Sequence, residues 1–282
     1  MVCGRPRICY LRICCVFYIR SGKLIDSEIF YFSGGEILDS AAVASFLAEL
    51  YNRREYIPHE IDLSEPLAEE DIAALSPWLS EKAGYRVTLR TPVRGETKRL
   101  CDMAKENAGQ RAREYARMME KDEKSIVRLA ALCGLETVPE RIEAFDISNF
   151  GDEAITAGMV VYENGRPKKS DYRLFTIKSV AGRDDYASMR EAVGRRIAHL
   201  NDKGAVPPDL LLIDGGEAHR SAAAEVVAEA GFDIPVFGMV KDDYHKTRAL
   251  IGEGGEISIA AEQSVYTLIY KIQEEVHRFT IS

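Results

Sequence analysis

The chain has 282 residues, 46% of them hydrophobic, enough to bury the core of one large domain or of two smaller ones. Its 37 basic and 45 acidic residues give a net charge of -8, which excludes a generic polyanion binder and confines any nucleic-acid contact to local basic patches. Six cysteines form no CxxC pair and have no histidine at zinc spacing. Arg5, Arg7 and Arg12 break up the apolar N-terminal stretch, so reduced thiols, a cytoplasmic location and no membrane association are expected.

In chain order, 13–33 reads as a β-hairpin turning at Ser21-Gly22-Lys23. Val43, Phe46, Leu47 and Leu50 then fall at helical spacing, with Asp39 or Ser40 available as a cap. A short strand (59–64) follows, then an acidic helical stretch expected to break near Pro77, a strand at 85–89, and a long polar helix from about Glu96 to Leu132 stopped by Gly134. These elements predict an α/β lobe over 13–134.

The second lobe, 139–282, opens with the strand EAFDISN (143–149) and continues through AITAGMVVYENG (154–165). An Asn164-Gly165 turn leads into a third strand over 168–178, completing an antiparallel meander. A helix carrying Tyr186, Met189, Val193 and Ile197, a buried strand Leu210–Asp214, a helix 218–230, a strand 234–240 and a final amphipathic helix complete the order β-β-β-α-β-α-β-α. That order describes a mixed sheet flanked by helices, its later strands parallel. Gly252, Gly254 and Gly255 read as a hairpin tip, since no lysine follows them as in a phosphate-binding loop. HEIDLS (59–64) resembles LLIDGG, and each precedes an Ala/Glu-rich helix ending in glycine; duplication and chance resemblance between two α/β halves both account for this.

Two acids stand out. Asp146 interrupts an apolar strand and Asp214 ends another, positions where a carboxylate needs a cation or strong donors to offset its desolvation. Gly215-Gly216 after Asp214 allow a sharp turn and close approach of backbone to a ligand at a strand end. Two such acids suggest a shared cation; backbone N–H donors are the alternative. Asp184 or Asp185 caps the helix after the meander, and Asp185 lies one turn before Met189 on the core-facing side. His277 sits at the edge of the last helix's apolar stripe, where it is either a half-exposed surface residue or a metal ligand or general acid. Lys241, His245, Lys246 and Arg248 follow a strand and could meet phosphates or form a solvated turn. Arg190, Arg195 and Arg196 read as one exposed helix face, and Arg190 is the one of these assigned to DNA.

EAFDISN, the Asn-Gly turn with RPKKSDYRLFTIK, GRDDYASM, PPDLLLIDGG, the Lys-Asp-Asp…His-Lys-Thr-Arg segment and QEEVHRFTIS occur together in this order. In this combination the chain resembles UvrC, the excinuclease component of bacterial nucleotide excision repair, densely over about 141–282 and more weakly over about 16–140. The resemblance implies an RNase H-like endonuclease fold in the second lobe; on the duplication reading the first lobe is a degenerate copy, since its opening strand carries no acid where the second has Asp146. It further implies Mg²⁺- or Mn²⁺-dependent hydrolysis of a phosphodiester on the 5′ side of a lesion in double-stranded DNA, leaving a 3′-hydroxyl and a 5′-phosphate. The family's functional carboxylates match Asp146, Asp185 and Asp214, and its histidine matches His277. Asp146, Asp214 and His277 are the implied metal ligands; Asp185 completes the site or positions water, and His277 orients the metal or aids the leaving group. UvrB, and UvrA through it, are the implied partners, with no small-molecule cofactor.

Family members also carry a GIY-YIG nuclease module and a UvrB-engaging helical module upstream, and paired helix-hairpin-helix motifs downstream, so the chain is expected to be a partial member. Many have a lysine after IDGG, where this chain has Glu217-Ala218-His219. A scaffold that docks DNA or UvrB without turnover is the alternative in another class, and a nuclease acting on RNA–DNA hybrids is a second.

Overall fold

A computed structural model describes residues 11–33, 39–150, 154–178, 184–202, 204–242 and 247–281, and the chain divides into two compact units at Arg117/Met118. In the first unit, strands β1 (Leu11–Arg20) and β2 (Lys23–Ser33) form an antiparallel hairpin. Its turn residues Ser21 and Gly22 both take positive φ, the geometry that matches the twist of a two-residue hairpin. Helix α1 (Ser40–Asn52) is capped by Asp39, whose Oδ1 accepts from the Ala42 N–H at 2.8 Å. Strands β3 (Glu60–Asp62) and β4 (Thr88–Arg90) run parallel on either side of helix α2 (Glu69–Ala83) in the sequence.

Helix α2 does not break at Pro77. Leu75 and Leu79, on either side of the proline, are both buried in the unit's core with Leu47, Leu50, Ile57 and Val87. Burying both offsets the hydrogen bond that the proline removes. The expected strand at 85–89 is shorter and begins later. Helix α3 (Gly95–Cys133) ends at Gly134, which takes φ 65° while the Leu135 N–H reaches back to the Ala130 carbonyl at 2.9 Å.

The second unit is built on an eight-stranded mixed sheet. Its strands are β5 (Arg141–Phe150), β6 (Ala154–Glu163), β7 (Arg166–Pro167), β8 (Arg173–Thr176), β9 (Leu210–Asp214), β10 (Val236–Lys241), β11 (Thr247–Gly252) and β12 (Gly255–Ser258). They lie in the order β12-β11-β10-β9-β5-β6-β7, with β8 also paired to β6. The strand expected over 168–178 is divided: a 3-10 turn at Lys169–Asp171 separates β7 from β8, and both pair with β6. The β5–β9 and β9–β10 pairs are parallel, as their crossover connections through α4 (Asp185–Ala198) and α5 (Glu217–Glu229) require. The glycines at 252–255 do form a hairpin tip, between β11 and β12.

Central strand β9 is buried on both faces, with Leu210 through Ile213 wholly inaccessible. Residues 143 and 146 differ by an odd number and project to opposite faces of β5. Glu143 meets Arg196 of α4, whereas Asp146 meets His277 of the last helix, α6 (Gln263–Thr280), so α4 and α6 cover opposite faces of the sheet. Among the described residues no helix is long and apolar enough to cross a membrane.

Candidate active site

The parallel register of β5 and β9 pairs Phe145 with Ile213, which makes Asp146 and Asp214 the next residues along both strands. Their side chains therefore share the face covered by α6. The Asp146 and Asp214 side chains are 9% and 6% exposed. Helix α6 buries Val265, Leu268, Ile269, Ile272 and Val276 against the sheet, and His277, one residue past Val276, stands at the stripe's edge. Its Nδ1 lies 3.0 Å from Asp146 Oδ2 while the ring stays half exposed. One potential ligand atom from each of Asp146, Asp214 and His277 lies within 4.8 Å of the other two.

The close docking of α6 depends on Gly158, the β6 partner of Asp146. A Cβ at this position would collide with the Thr280 hydroxyl and press on its Cβ and Cα, so glycine lets the helix end pass closely over the strand.

Asp214 is held from two sides. Lys241 Nζ binds its Oδ2 at 2.9 Å, and Gln273 Nε2 donates to its Oδ1 at 2.8 Å. Asp146 is pushed up to about 6, first by burial and then by the negative charge of Asp214, against the lowering influence of His277 and Lys241. Two enclosed carboxylates that repel each other, with an imidazole beside them, form a donor set that suits a hard, oxygen-seeking divalent cation.

Residues 130–281 match the family model described as the UvrC RNAse H endonuclease domain, and residues 11–115 match the UvrC Ribonuclease H-like domain. The chain belongs to the UvrC family. It is 40% identical to the UvrABC system protein C of Caldanaerobacter subterraneus subsp. tengcongensis, over 95% of this chain and 46% of that protein. Against the Clostridioides difficile UvrABC system protein C it is 41% identical, over 95% and 44%. The chain thus spans about half the length of the curated relatives it matches. Among solved structures, a Ciona intestinalis endonuclease V in complex with a 24mer DNA containing an inosine followed by a ribo-adenosine aligns with a TM-score of 0.37 at 13% identity, covering 61% of this chain and 97% of that one.

In this UvrC chain the fold unites three of the residues singled out in the sequence: Asp146, Asp214 and His277. Asp184, not Asp185, is the cap of α4, accepting from the Ala187 N–H at 2.9 Å. Asp185 is the half-buried first residue of the helix and lies outside the 4.8 Å cluster formed among the described residues. Arg190 pairs with Glu225 and Glu229 of α5, and Arg248 with Glu256 of β12. His245 and Lys246 lie outside the described residues.

The exposed face expected for Arg196 needs correction: it donates Nε and Nη2 to the buried Glu143. Arg195 stays exposed, with Nη1 donating to the Thr176 carbonyl at 2.8 Å. Gln273 and Thr247 were not expected at the site. A polar residue inside α6's apolar stripe, one turn before His277, was the available signal.

Proposed function

We propose that this UvrC chain is a metal-dependent endodeoxyribonuclease of nucleotide excision repair, hydrolysing a phosphodiester on the 5′ side of a lesion in double-stranded DNA. The observation that carries this reading is the convergence of Asp146, Asp214 and His277 from two adjacent strands and a helix. The family's endonuclease-domain match over 130–281 supports the same assignment.

Asp146 and Asp214 hold Mg²⁺ or Mn²⁺, with His277 as the third ligand or as the group beside it. A divalent ion there supplies Lewis-acid polarisation of the phosphodiester. His277, with Nδ1 turned to Asp146, offers its second ring nitrogen and half-exposed face to the leaving 3′ oxygen, to which it delivers a proton. Asp185 acts from the first turn of α4, outside the carboxylate pair, by positioning water. Lys241 and Arg248, at either end of the segment containing His245 and Lys246, belong to the backbone-contacting edge, and Arg190 to its continuation along α4. UvrB, with UvrA behind it, is the protein partner, and the first unit is a degenerate RNase H-like copy.

Purified chain with Mn²⁺ and an end-labelled bubble or nicked duplex tests the reading. Cleavage on the 5′ side that disappears with chelator and with Asp146→Ala is expected. Cleavage that survives Asp146→Ala would remove this site from the chemistry, and a folded chain without cleavage would favour the docking scaffold.

A further inference from the structure

We propose that Gln273 is the positioning residue of this site: it fixes the Asp214 carboxylate and, through α6, sets the register that aims His277 at Asp146. The inference rests on reading Asp146, Asp214 and His277 as the cation-holding cluster. Gln273 is 1% exposed and lies among apolar neighbours on α6, a position where a hydrophobic side chain would pack without polar partners. Both amide hydrogens are committed, one to Asp214 Oδ1 at 2.8 Å and the other to the Met239 carbonyl at 3.0 Å. The amide oxygen accepts from the Thr247 hydroxyl.

This arrangement has one sense only. With the amide flipped, its oxygen would face a carboxylate and a carbonyl, two acceptors, so the partners dictate the orientation. The three partners sit on β9, β10 and β11, neighbouring strands of the sheet. One side chain thus ties the helix to three strands. His277 follows one turn later on the same side of α6, so the amide that orients Asp214 also fixes the axial position of the imidazole. Gln273 contacts no reacting atom in this arrangement; it acts through Asp214, as outer groups that hold metal-ligating carboxylates do.

The test is Mn²⁺ binding to the intact chain by titration calorimetry without DNA, beside circular dichroism and thermal unfolding in chelator, for the parent, Asp146→Ala, Gln273→Met and Thr247→Val. Gln273→Met, similar in length but without donors, is expected to keep the parent's circular dichroism and to bind Mn²⁺ roughly ten- to a hundredfold more weakly. Thr247→Val keeps both N–H donations but removes the hydroxyl that holds the amide oxygen, and is expected to weaken binding by roughly three- to tenfold, below that range. It stands in for Gln273→Met should that variant not fold. A purely structural glutamine would lower the melting temperature and leave the affinity of the folded chain unchanged, an outcome that overturns the proposal. If the parent binds no Mn²⁺, or Asp146→Ala binds it as the parent does, the cation-site reading fails and the proposal falls with it. If Asp146→Ala loses binding while both amide-network variants retain it, the positioning role alone is wrong.

Discussion

Asp146 Oδ2 and His277 Nδ1 lie 3.0 Å apart although 131 positions separate them in the chain. One group is enclosed on a central strand and the other half exposed on the last helix, so the pair joins the sheet's interior to its surface at one point. Such a contact cannot be local. It exists because β5 and β9 share a register and because α6 comes down over β6, so the site is sensitive to residues that carry no chemistry.

Gly158 is the first of these. Gly158→Ala sets a methyl group onto the Thr280 hydroxyl and tightly against the Thr280 Cβ and Cα, so turning the hydroxyl aside breaks its bond to the Val276 carbonyl and the backbone must still give by a few tenths of an ångström. Overpacking of this kind costs roughly 1–3 kcal/mol. The helix end should lift, weakening Mn²⁺ affinity and cleavage more than the stability loss explains. Chemical denaturation and metal titration of the same sample check this; normal metal affinity in Gly158→Ala would show that α6 docking does not govern the site.

The opposite face of β5 gives the contrasting case. Glu143 is wholly buried and receives Arg141 Nε at 2.9 Å and Arg196 Nη2 at 2.7 Å. Glu143→Gln removes the acid partner of two enclosed guanidinium groups, a change that costs roughly 3–5 kcal/mol. Because the side chain points toward α4 and away from Asp146, the folded fraction should bind Mn²⁺ with the parent's affinity. Urea denaturation together with Mn²⁺ titration of the folded protein separates the two effects.

The sequence made the carboxylates legible for a physical reason: an acid inside an apolar strand stands out against its neighbours, and Asp146 and Asp214 both do. His277 was legible as a stripe-edge residue, and the pairing of β11 with β12 through the glycines between them. What remained hidden were residues whose partners are distant. Gln273 reads as a break in the apolar pattern until Asp214, Met239 and Thr247 are brought beside it. Glu143 reads as the polar start of a strand, and Arg196 as solvated, until they meet across the β5–α4 contact. Pro77 reads as a break because local sequence gives no weight to the buried leucines on either side.

Lys241 occupies the oxygen of Asp214 that Gln273 leaves free. Its side chain is 28% exposed, so Lys241→Met should lower the stability of the metal-free chain by only about 1–2 kcal/mol, less than for a fully buried pair. Removing this cation also removes its repulsion of a bound divalent metal, which raises the metal's affinity for the carboxylates. The variant should therefore show a larger Mn²⁺-induced rise in melting temperature than the parent. Equal rises in the two proteins would mean that Lys241 and the metal do not compete for Asp214.

Asp146 yields the last prediction, a dependence of stability on pH in chelator. Its folded-state value, raised to about 6, compares with about 3.9 for an unfolded aspartate. Between these values the folded chain binds more protons than the unfolded one, so the group's contribution to stability falls as pH rises through about 4 to 6. The penalty is complete above that window, at most roughly 3 kcal/mol for a difference of about two units. Asp146→Asn, a neutral isostere, is exempt. In chelator it should be more stable than the parent at pH 7 by up to about 2–3 kcal/mol, and the two should converge below about pH 4, where the parent's carboxyl is protonated in both states. Mn²⁺ at neutral pH should reverse the order, since the parent gains binding energy on folding that the amide variant largely lacks. Denaturation midpoints for both proteins across this pH range decide the matter: a stability difference constant from pH 4 to 7 would mean that burial and Asp214 do not hold a proton on Asp146.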